Sequence, residues 1–172
     1  MQNNKIKVFF FLDSFRVGGM HRQILYLMKH LNKDIFEPIM CTQISIGGLR
    51  EEFEKTNCKL FDLKWKRKLD LTTVFRLIKI LDAERPDIIF ITVAQTLFYY
   101  RMARIFRHRQ IVQIGSFRAM SFWKGHLKKL YQPIDNLFSK WLYASSDYVV
   151  VNSGALSDHY SHIINIKPNK SF

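Results

Sequence analysis

Two adjacent glycines, Gly18 and Gly19, lie between an apolar segment and the first amphipathic segment of the chain. Backbone amides at the start of a helix carry partial positive charge, and glycine lets a ligand approach them closely, so this loop could hold a phosphate or a carboxylate. A tight turn without a ligand explains the two glycines equally well. His21 follows within one turn, where it could face a ligand or simply be exposed to solvent.

Other phosphate-binding and metal-binding patterns do not match. The segment from Val17 to His21 lacks the G-x-G-x-x-G spacing of dinucleotide-binding proteins, and the chain has no G-K-[ST] sequence of a P-loop. Cys41 and Cys58 form no C-x-x-C pair, and His159 and His162 have no third ligand nearby in the sequence. We therefore expect no metal and no cofactor, and we expect two reduced, buried thiols.

Basic residues dominate the composition. The 172 residues include 27 Lys and Arg against 14 Asp and Glu, a formal net charge of +13. Such a charge favours nucleic acid, anionic lipid or phosphorylated small molecules as partners. No acidic residue occurs between Asp87 and Asp135, where basic residues alternate with aromatic ones. A solvated surface is the ordinary interpretation of such a run, but here no acids compensate the charge.

Strand-like segments alternate with amphipathic segments along the chain. Strands are predicted at 5–12, 36–43, 59–63, 87–93, 110–114 and 148–151. Helices are predicted from two apolar stripes (Ile24, Leu27, Met28 and Leu31; Leu71, Val74, Phe75 and Ile78) and at 49–55, 96–106 and around 134–141. This alternation predicts one α/β domain over residues 1–172, a Rossmann-like parallel sheet with helices on both faces. Ligands of such sheets bind beyond the carboxyl ends of the strands, here the loops 13–20, 42–48, 92–96, 115–121 and 152–155.

Three segments together carry a family resemblance. They are Phe10 to Leu31, which contains the two glycines, Arg85-Pro86-Asp87-Ile88-Ile89, and Ser146 to Ser153. In this order and separation they resemble the N-terminal half of a GT-B glycosyltransferase of the retaining glycosyltransferase 4 family. The resemblance implies that this domain holds the acceptor, and that a C-terminal domain absent from this chain binds the nucleotide sugar.

The same resemblance implies a set of substrate-binding positions. The donor phosphates would approach Gly18 and Gly19. The sequence departs from the family at two places where histidine is common, reading Thr92-Val93-Ala94 after the fourth strand and Gly115-Ser116-Phe117-Arg118 after the fifth. No catalytic residue is therefore assigned. The predicted substrate-binding residues are Gly18, Gly19, His21, Ser116, Arg118, Asn152 and Ser153.

The resulting prediction is an acceptor-binding domain of a glycosyltransferase, inactive on its own. The enzyme would transfer a hexosyl-type sugar from a nucleotide sugar to a glycan or lipid-linked acceptor in surface polysaccharide or lipopolysaccharide synthesis. No apolar run approaches the length of a transmembrane helix, and no secretory signal is evident, so we expect a cytoplasmic protein, peripheral at the inner face of the cell membrane.

A basic and aromatic surface is predicted to dock on anionic membrane. Its residues are Arg101, Arg104, Arg107, Trp123, Lys124, Lys128 and Lys129. Burial of the aromatic residues in the core is the competing interpretation. A different class of function stays open, because basic residues among aromatic ones also suit a Rossmann-like nucleic-acid-binding module.

Overall fold

The computed structural model describes residues 5–66, 70–107, 109–117, 137, 140–141 and 146–151. The strands are β1 (Ile6–Leu12), β2 (Phe36–Thr42), β3 (Lys59–Asp62), β4 (Ile88–Ile91), β5 (Val112–Phe117) and β6 (Tyr148–Val151). The helices within these ranges are α1 (Gly19–His30), α2 (Arg50–Glu54), α3 (Leu71–Glu84) and α4 (Ala94–Ile105). Residues 137, 140 and 141 are also helical, within the helix predicted around 134–141.

The six strands form one sheet in the order β3-β2-β1-β4-β5-β6, and every neighbouring pair is parallel. Each strand predicted from the sequence is present, with its ends shifted by at most three residues. The predicted Rossmann-like α/β class is therefore confirmed. Strand order reverses between β1 and β4, the arrangement that opens a crevice at the carboxyl edge of such sheets.

The central strand β1 is buried on both faces, which explains its nearly continuous run of apolar residues. Phe9 and Phe11 pack in a cluster with residues of α3 and α4, including Leu77 and Tyr100. Val8, Phe10 and Leu12 face the other way and pack in a second cluster, with Ile24 and Met28 of α1 and Phe53 of α2. Helices thus cover both faces of the sheet, as the alternation of elements predicts.

Two aspartates fix the register of strands at the amino-terminal edge. The carboxylate of Asp87 accepts a hydrogen bond from the backbone N–H of Lys7 at 2.9 Å, while the backbone N–H of Asp87 donates to the Lys7 carbonyl at 3.0 Å. Asp147 and Gln113 repeat this reciprocal pair between β6 and β5, at 2.8 and 2.9 Å. Two of the motifs that carry the family resemblance therefore hold neighbouring strands together.

The predicted apolar stripes identify the helices correctly but misplace part of their buried faces. In α3 the buried apolar residues are Val74, Leu77 and Leu81, whereas Leu71 and Phe75 are 64% and 58% exposed. In α1 Leu25 is buried and Leu27 is 40% exposed. Both helices carry apolar residues on overlapping stripes, so periodicity alone does not select the stripe that meets the sheet.

Other details of the described residues bear on the predictions. Both cysteines are free thiols, Cys41 buried and Cys58 half-buried. In the described ranges no helix has the length and apolar content needed to cross a bilayer.

The assignment of the buried face of α3 can be tested by substitution. Leu77 has no exposed surface, so Leu77→Ala removes a side chain from the core and leaves a cavity. We expect it to lower the free energy of unfolding by about 3 kcal/mol, measured by urea denaturation. The matched variant Leu71→Ala lies on the same helix and should change this free energy by less than about 0.5 kcal/mol. Equal losses in the two variants would contradict the assigned face.

Candidate functional site

The helices that follow β1 and β4 both begin at the carboxyl edge of the sheet, on either side of the point where strand order reverses. Neither α1 nor α4 has an acidic residue in its first turn, and neither has a side chain capping its first amides. The positive ends of two helix dipoles therefore flank the crevice without a neutralising group from either helix. Such an arrangement attracts an anion.

The two glycines of the loop have different structural roles. Gly18 precedes α1 in an extended conformation, and its carbonyl accepts the backbone N–H of Arg22 at 3.0 Å. A side chain on Gly18 would place its Cβ 3.3 Å from Nδ1 of His21, which is a tight contact. A Cβ on Gly19 would meet no described atom within 4 Å. Gly18 therefore makes room for His21, and Gly19 leaves open the space in front of the helix.

His21 is held by the residue that directly follows β1. Its Nε2 lies 3.1 Å from Oδ1 of Asp13, whose other oxygen accepts the hydroxyl of Ser14 at 3.1 Å. His21 is only 8% exposed, so the interpretation as a simple surface histidine is wrong. Burial raises the pKa of Asp13, but the hydrogen bond and charge of His21 outweigh it, and the pKa lies below its ordinary value of 3.8.

The loop after β2 packs on the loop after β1. Three backbone hydrogen bonds join them, from Ile44 to Asp13 O at 3.1 Å, from Phe15 to Ile46 O at 2.8 Å, and from Leu49 to Phe15 O at 3.0 Å. Gly47 has a positive φ of 129°, and any side chain there would overlap the backbone of Phe15. The loop that carries the two glycines is thus braced by its neighbour.

Polar side chains without partners gather at this same edge. Within the described part of the chain, Thr42 Oγ1, Gln43 Nε2 and Thr92 Oγ1 are buried and make no hydrogen bond. Thr42 and Gln43 lie at the end of β2 and Thr92 directly after β4, on the two sides of β1. Each such group costs about 1–3 kcal/mol of stability. Departures of this kind from full hydrogen bonding are typical of functional sites.

The predicted site residues are only partly brought together. Gly18, Gly19 and His21 lie in one loop beside the crevice, and Ser116 is buried near the carboxyl end of β5. The remaining predicted residues lie outside the described ones: Arg118, Asn152 and Ser153 of the substrate set, and Trp123, Lys124, Lys128 and Lys129 of the docking set.

The three arginines predicted to dock on membrane make separate intramolecular contacts. The guanidinium of Arg101 lies 4.5 Å from the ring centre of Trp141, and Arg104 donates to Gln113 Oε1 at 3.2 Å. Arg107 lies beyond the end of α4 and donates to Asp82 at 2.6 Å, with a side chain only 6% exposed. Because α4 ends at Ile105, Arg107 lies outside the helix that carries Arg101 and Arg104, and the three arginines do not share one helical face.

Sequence reasoning missed Asp13 and Gly47. Asp13 is visible only as the polar residue that ends the first apolar strand, and its pairing with His21 depends on the geometry of the turn. Gly47-Gly48 is a second pair of glycines, after β2, and could have been singled out by that position. The described residues contain no cluster of three or more His, Cys, Asp or Glu side chains arranged to hold an ion.

Comparison with known proteins identifies the class. Residues 17–171 match the model of Glycosyltransferase Family 4, so this chain belongs to that family. No curated protein sequence matched the chain.

Solved structures share the fold at low sequence identity. A glycosyltransferase from Rickettsia africae aligns with a TM-score of 0.68 at 16% identity, over 98% of this chain and 42% of that one. Alr3699/HepE of Anabaena, solved with UDP and glucose, gives a TM-score of 0.71 at 13% identity, over 97% and 43% of the two chains. The lipopolysaccharide outer core galactosyltransferase WaaB gives 0.66 at 14%, over 97% and 44%. The chain thus spans less than half the length of these structures and has the fold of the N-terminal half of a GT-B glycosyltransferase.

The Asp13–His21 pair predicts a pH dependence of stability. Because the pKa of Asp13 is lowered in the folded state, its ionised form stabilises the fold above about pH 4, and this contribution disappears as the pH falls through the folded-state pKa. Asp13→Asn should therefore lower the free energy of unfolding by about 1–2 kcal/mol at pH 6. At pH 3 the difference from the original chain should be clearly smaller.

Exposed Asp34 provides the control, because its carboxylate makes no ion pair in the described structure. Asp34→Asn should differ little from the original chain at either pH. A penalty for Asp13→Asn that is the same at pH 6 and pH 3 would contradict the electrostatic role of the pair.

Proposed function

We propose that this chain is the acceptor-side domain of an enzyme that transfers a sugar from a nucleotide sugar to a glycan or lipid-linked acceptor in surface polysaccharide or lipopolysaccharide synthesis. The single observation that carries the proposal is the crevice between β1 and β4, which two uncapped helix N-termini flank in a chain of this family. A diphosphate is the group of a nucleotide sugar that such a crevice attracts.

The groups present in the crevice indicate which part of the nucleotide sugar this domain would bind. The described crevice offers backbone amides and the Asp13–His21 pair, which suit phosphate groups, but the enzyme must also recognise the base and the sugar of the donor. We assign those tasks to a second, donor-binding domain. HepE was solved with UDP and glucose, and WaaB is named for lipopolysaccharide, which supports a nucleotide-sugar donor and a surface-glycan product for this chain.

The nucleic-acid alternative loses support from the described cations. Base-stacking proteins present aromatic side chains along an open basic groove. Here Arg107 is buried against Asp82, and Arg101 lies against Trp141. The match to Glycosyltransferase Family 4 supports a glycosyltransferase function, and no comparable match supports a nucleic-acid-binding function.

Sugar transfer should require both domains. We expect the 172-residue chain to unfold cooperatively, as its two apolar clusters predict, yet to transfer no radiolabelled sugar from any nucleotide sugar. A protein in which this chain is followed by a family 4 donor-binding domain should transfer sugar to a glycan or lipid-linked acceptor. Sugar transfer by the chain alone would refute the proposed function. So would a lack of sugar transfer in every protein that joins this chain to a donor-binding domain.

The space in front of Gly19 should be needed for turnover. A Cβ at this position is free of steric conflict with the described atoms, so side chains here should spare the fold and occupy the place of the ligand. In the two-domain protein, Gly19→Ala should reduce kcat/KM by roughly tenfold, equivalent to about 1.4 kcal/mol, and Gly19→Val by more. The melting temperature of both variants should stay within a few degrees of the original. Unchanged kinetics in Gly19→Val would place the site elsewhere.

Membrane docking is part of the proposal and rests on the sequence of the acid-free stretch. In the two-domain protein, sedimentation with vesicles should require anionic lipid and weaken with added salt. Each juxtamembrane lysine contributes about 1 kcal/mol, so changing Lys124, Lys128 and Lys129 to glutamate should reduce binding by at least about 100-fold. The matched control changes Lys29, Lys33 and Lys55 to glutamate. Equal losses in the two triple variants would reject a specific docking face.

A further inference from the structure

A basic groove lies at the opposite, amino-terminal edge of the sheet. It is an open groove of about 910 Å³ between the starts of β1 and β4 and the ends of α3 and α4. Two aspartates, Asp82 and Asp87, contribute to its walls. Five cationic side chains line it: Lys5, Lys7, Arg85, Arg107 and Arg109. Cations therefore exceed carboxylates in this groove.

Two of the five cationic side chains form hydrogen bonds within the fold. The ammonium of Lys7 donates to the carbonyl of Glu84 at 3.0 Å, and the guanidinium of Arg107 donates to the carbonyl of Leu81 at 3.3 Å. Both carbonyls belong to the last turn of α3, where the helix dipole favours positive charge. Arg107 also forms an ion pair with Asp82, with 2.6 Å between Nε and Oδ1. These contacts make one wall of the groove rigid.

The other three cations are not accounted for by the fold. The exposed side chains of Lys5 and Arg85 make no hydrogen bond or ion pair within the described residues. Arg109 approaches Asp87 at 3.5 Å, and the same carboxylate already accepts the backbone N–H of Lys7. The remaining positive charge of the groove thus faces solvent.

Arg85 has a backbone conformation that is costly for its residue type. It ends α3 with a φ of 50° and a ψ of 56°, and its N–H donates to Leu81 O at 3.0 Å. Glycine usually occupies this left-handed position, because other residues are strained there. An arginine at this position keeps a guanidinium in the groove at the expense of stability.

We propose that this groove binds an anion with two or more phosphate groups, held by Arg85, Arg109 and Lys5. Guanidinium groups bind phosphate oxygens in a planar, two-point geometry, and a cleft lined by one sign of charge concentrates ions of the other. The phosphates could belong to a soluble polyphosphate compound or to the headgroups of an anionic bilayer. Since β1 has seven residues, this groove lies about 20 Å from the crevice at the carboxyl edge, and the two sites are separate.

The decisive variant is Arg85→Gly, because it removes the charge and also relieves the strained backbone. Calorimetric titration of the 172-residue chain with inorganic pyrophosphate at low salt measures the binding. We expect Arg85→Gly to weaken the affinity about three- to fivefold, and Arg85→Gly combined with Lys5→Gln to weaken it further. The melting temperature should stay equal or rise. Lys55→Gln, an equal loss of charge directly after α2, should leave the affinity unchanged.

Two further measurements identify the site and the source of the phosphates. Gly19→Val obstructs the crevice but not the groove, so it should leave the groove component of pyrophosphate binding intact. If vesicles of phosphatidylglycerol lose binding in the double variant while pyrophosphate affinity is unchanged, the groove recognises lipid headgroups. The proposal is overturned if the double variant binds both probes normally, or if Gly19→Val alone abolishes all pyrophosphate binding.

Discussion

The pairing of β4 with β1 is the constraint on which the rest of this structure depends. Asp87 fixes it by exchanging two hydrogen bonds with the backbone of Lys7, and the register then runs from Val8 opposite Ile88 to Phe11 opposite Ile91. A slip of one residue would turn every β4 side chain to the other face of the sheet. It would also move the start of α4 away from the start of α1. The crevice exists because this register is held at the opposite edge of the sheet.

The chemistry of the crevice is mostly backbone chemistry. The groups that it offers an anion are the first amides of two helices, and the side chains nearest to the diglycine loop position that loop. Asp13 and His21 form a hydrogen bond with each other, and glycine fits at position 18 because a Cβ there would lie only 3.3 Å from His21. Threonine and valine after β4 are compatible with such a crevice, because the groups it offers a ligand there are backbone amides rather than side chains.

The sequence predicts the sheet and its edges well, because continuous apolar runs mark the buried strands and amphipathic segments mark the helices between them. It also predicts the diglycine loop, because a pair of glycines directly after the first strand identifies that loop without any knowledge of distant contacts. It fails where the outcome depends on contacts between distant segments. Overlapping stripes in α3 made Leu71 and Phe75 look buried, and only the sheet selects Leu77 and Leu81. The role of Gly47 depends on the backbone of Phe15, and the burial of Arg107 depends on Asp82, so neither could be read from spacing.

The contact between Gly47 and Phe15 limits how this domain can diversify. The loops after β1 and β2 share three backbone hydrogen bonds and have no room for an added side chain at their closest approach, so they form one inflexible unit. An insertion in either loop would disturb the amides of α1. Substitutions that change the crevice without disturbing this unit are therefore better tolerated in the short segment between β4 and α4, on the other side of the crevice. The three hydrogen bonds and the close approach at Gly47 therefore hold the first amides of α1 in one position relative to the sheet.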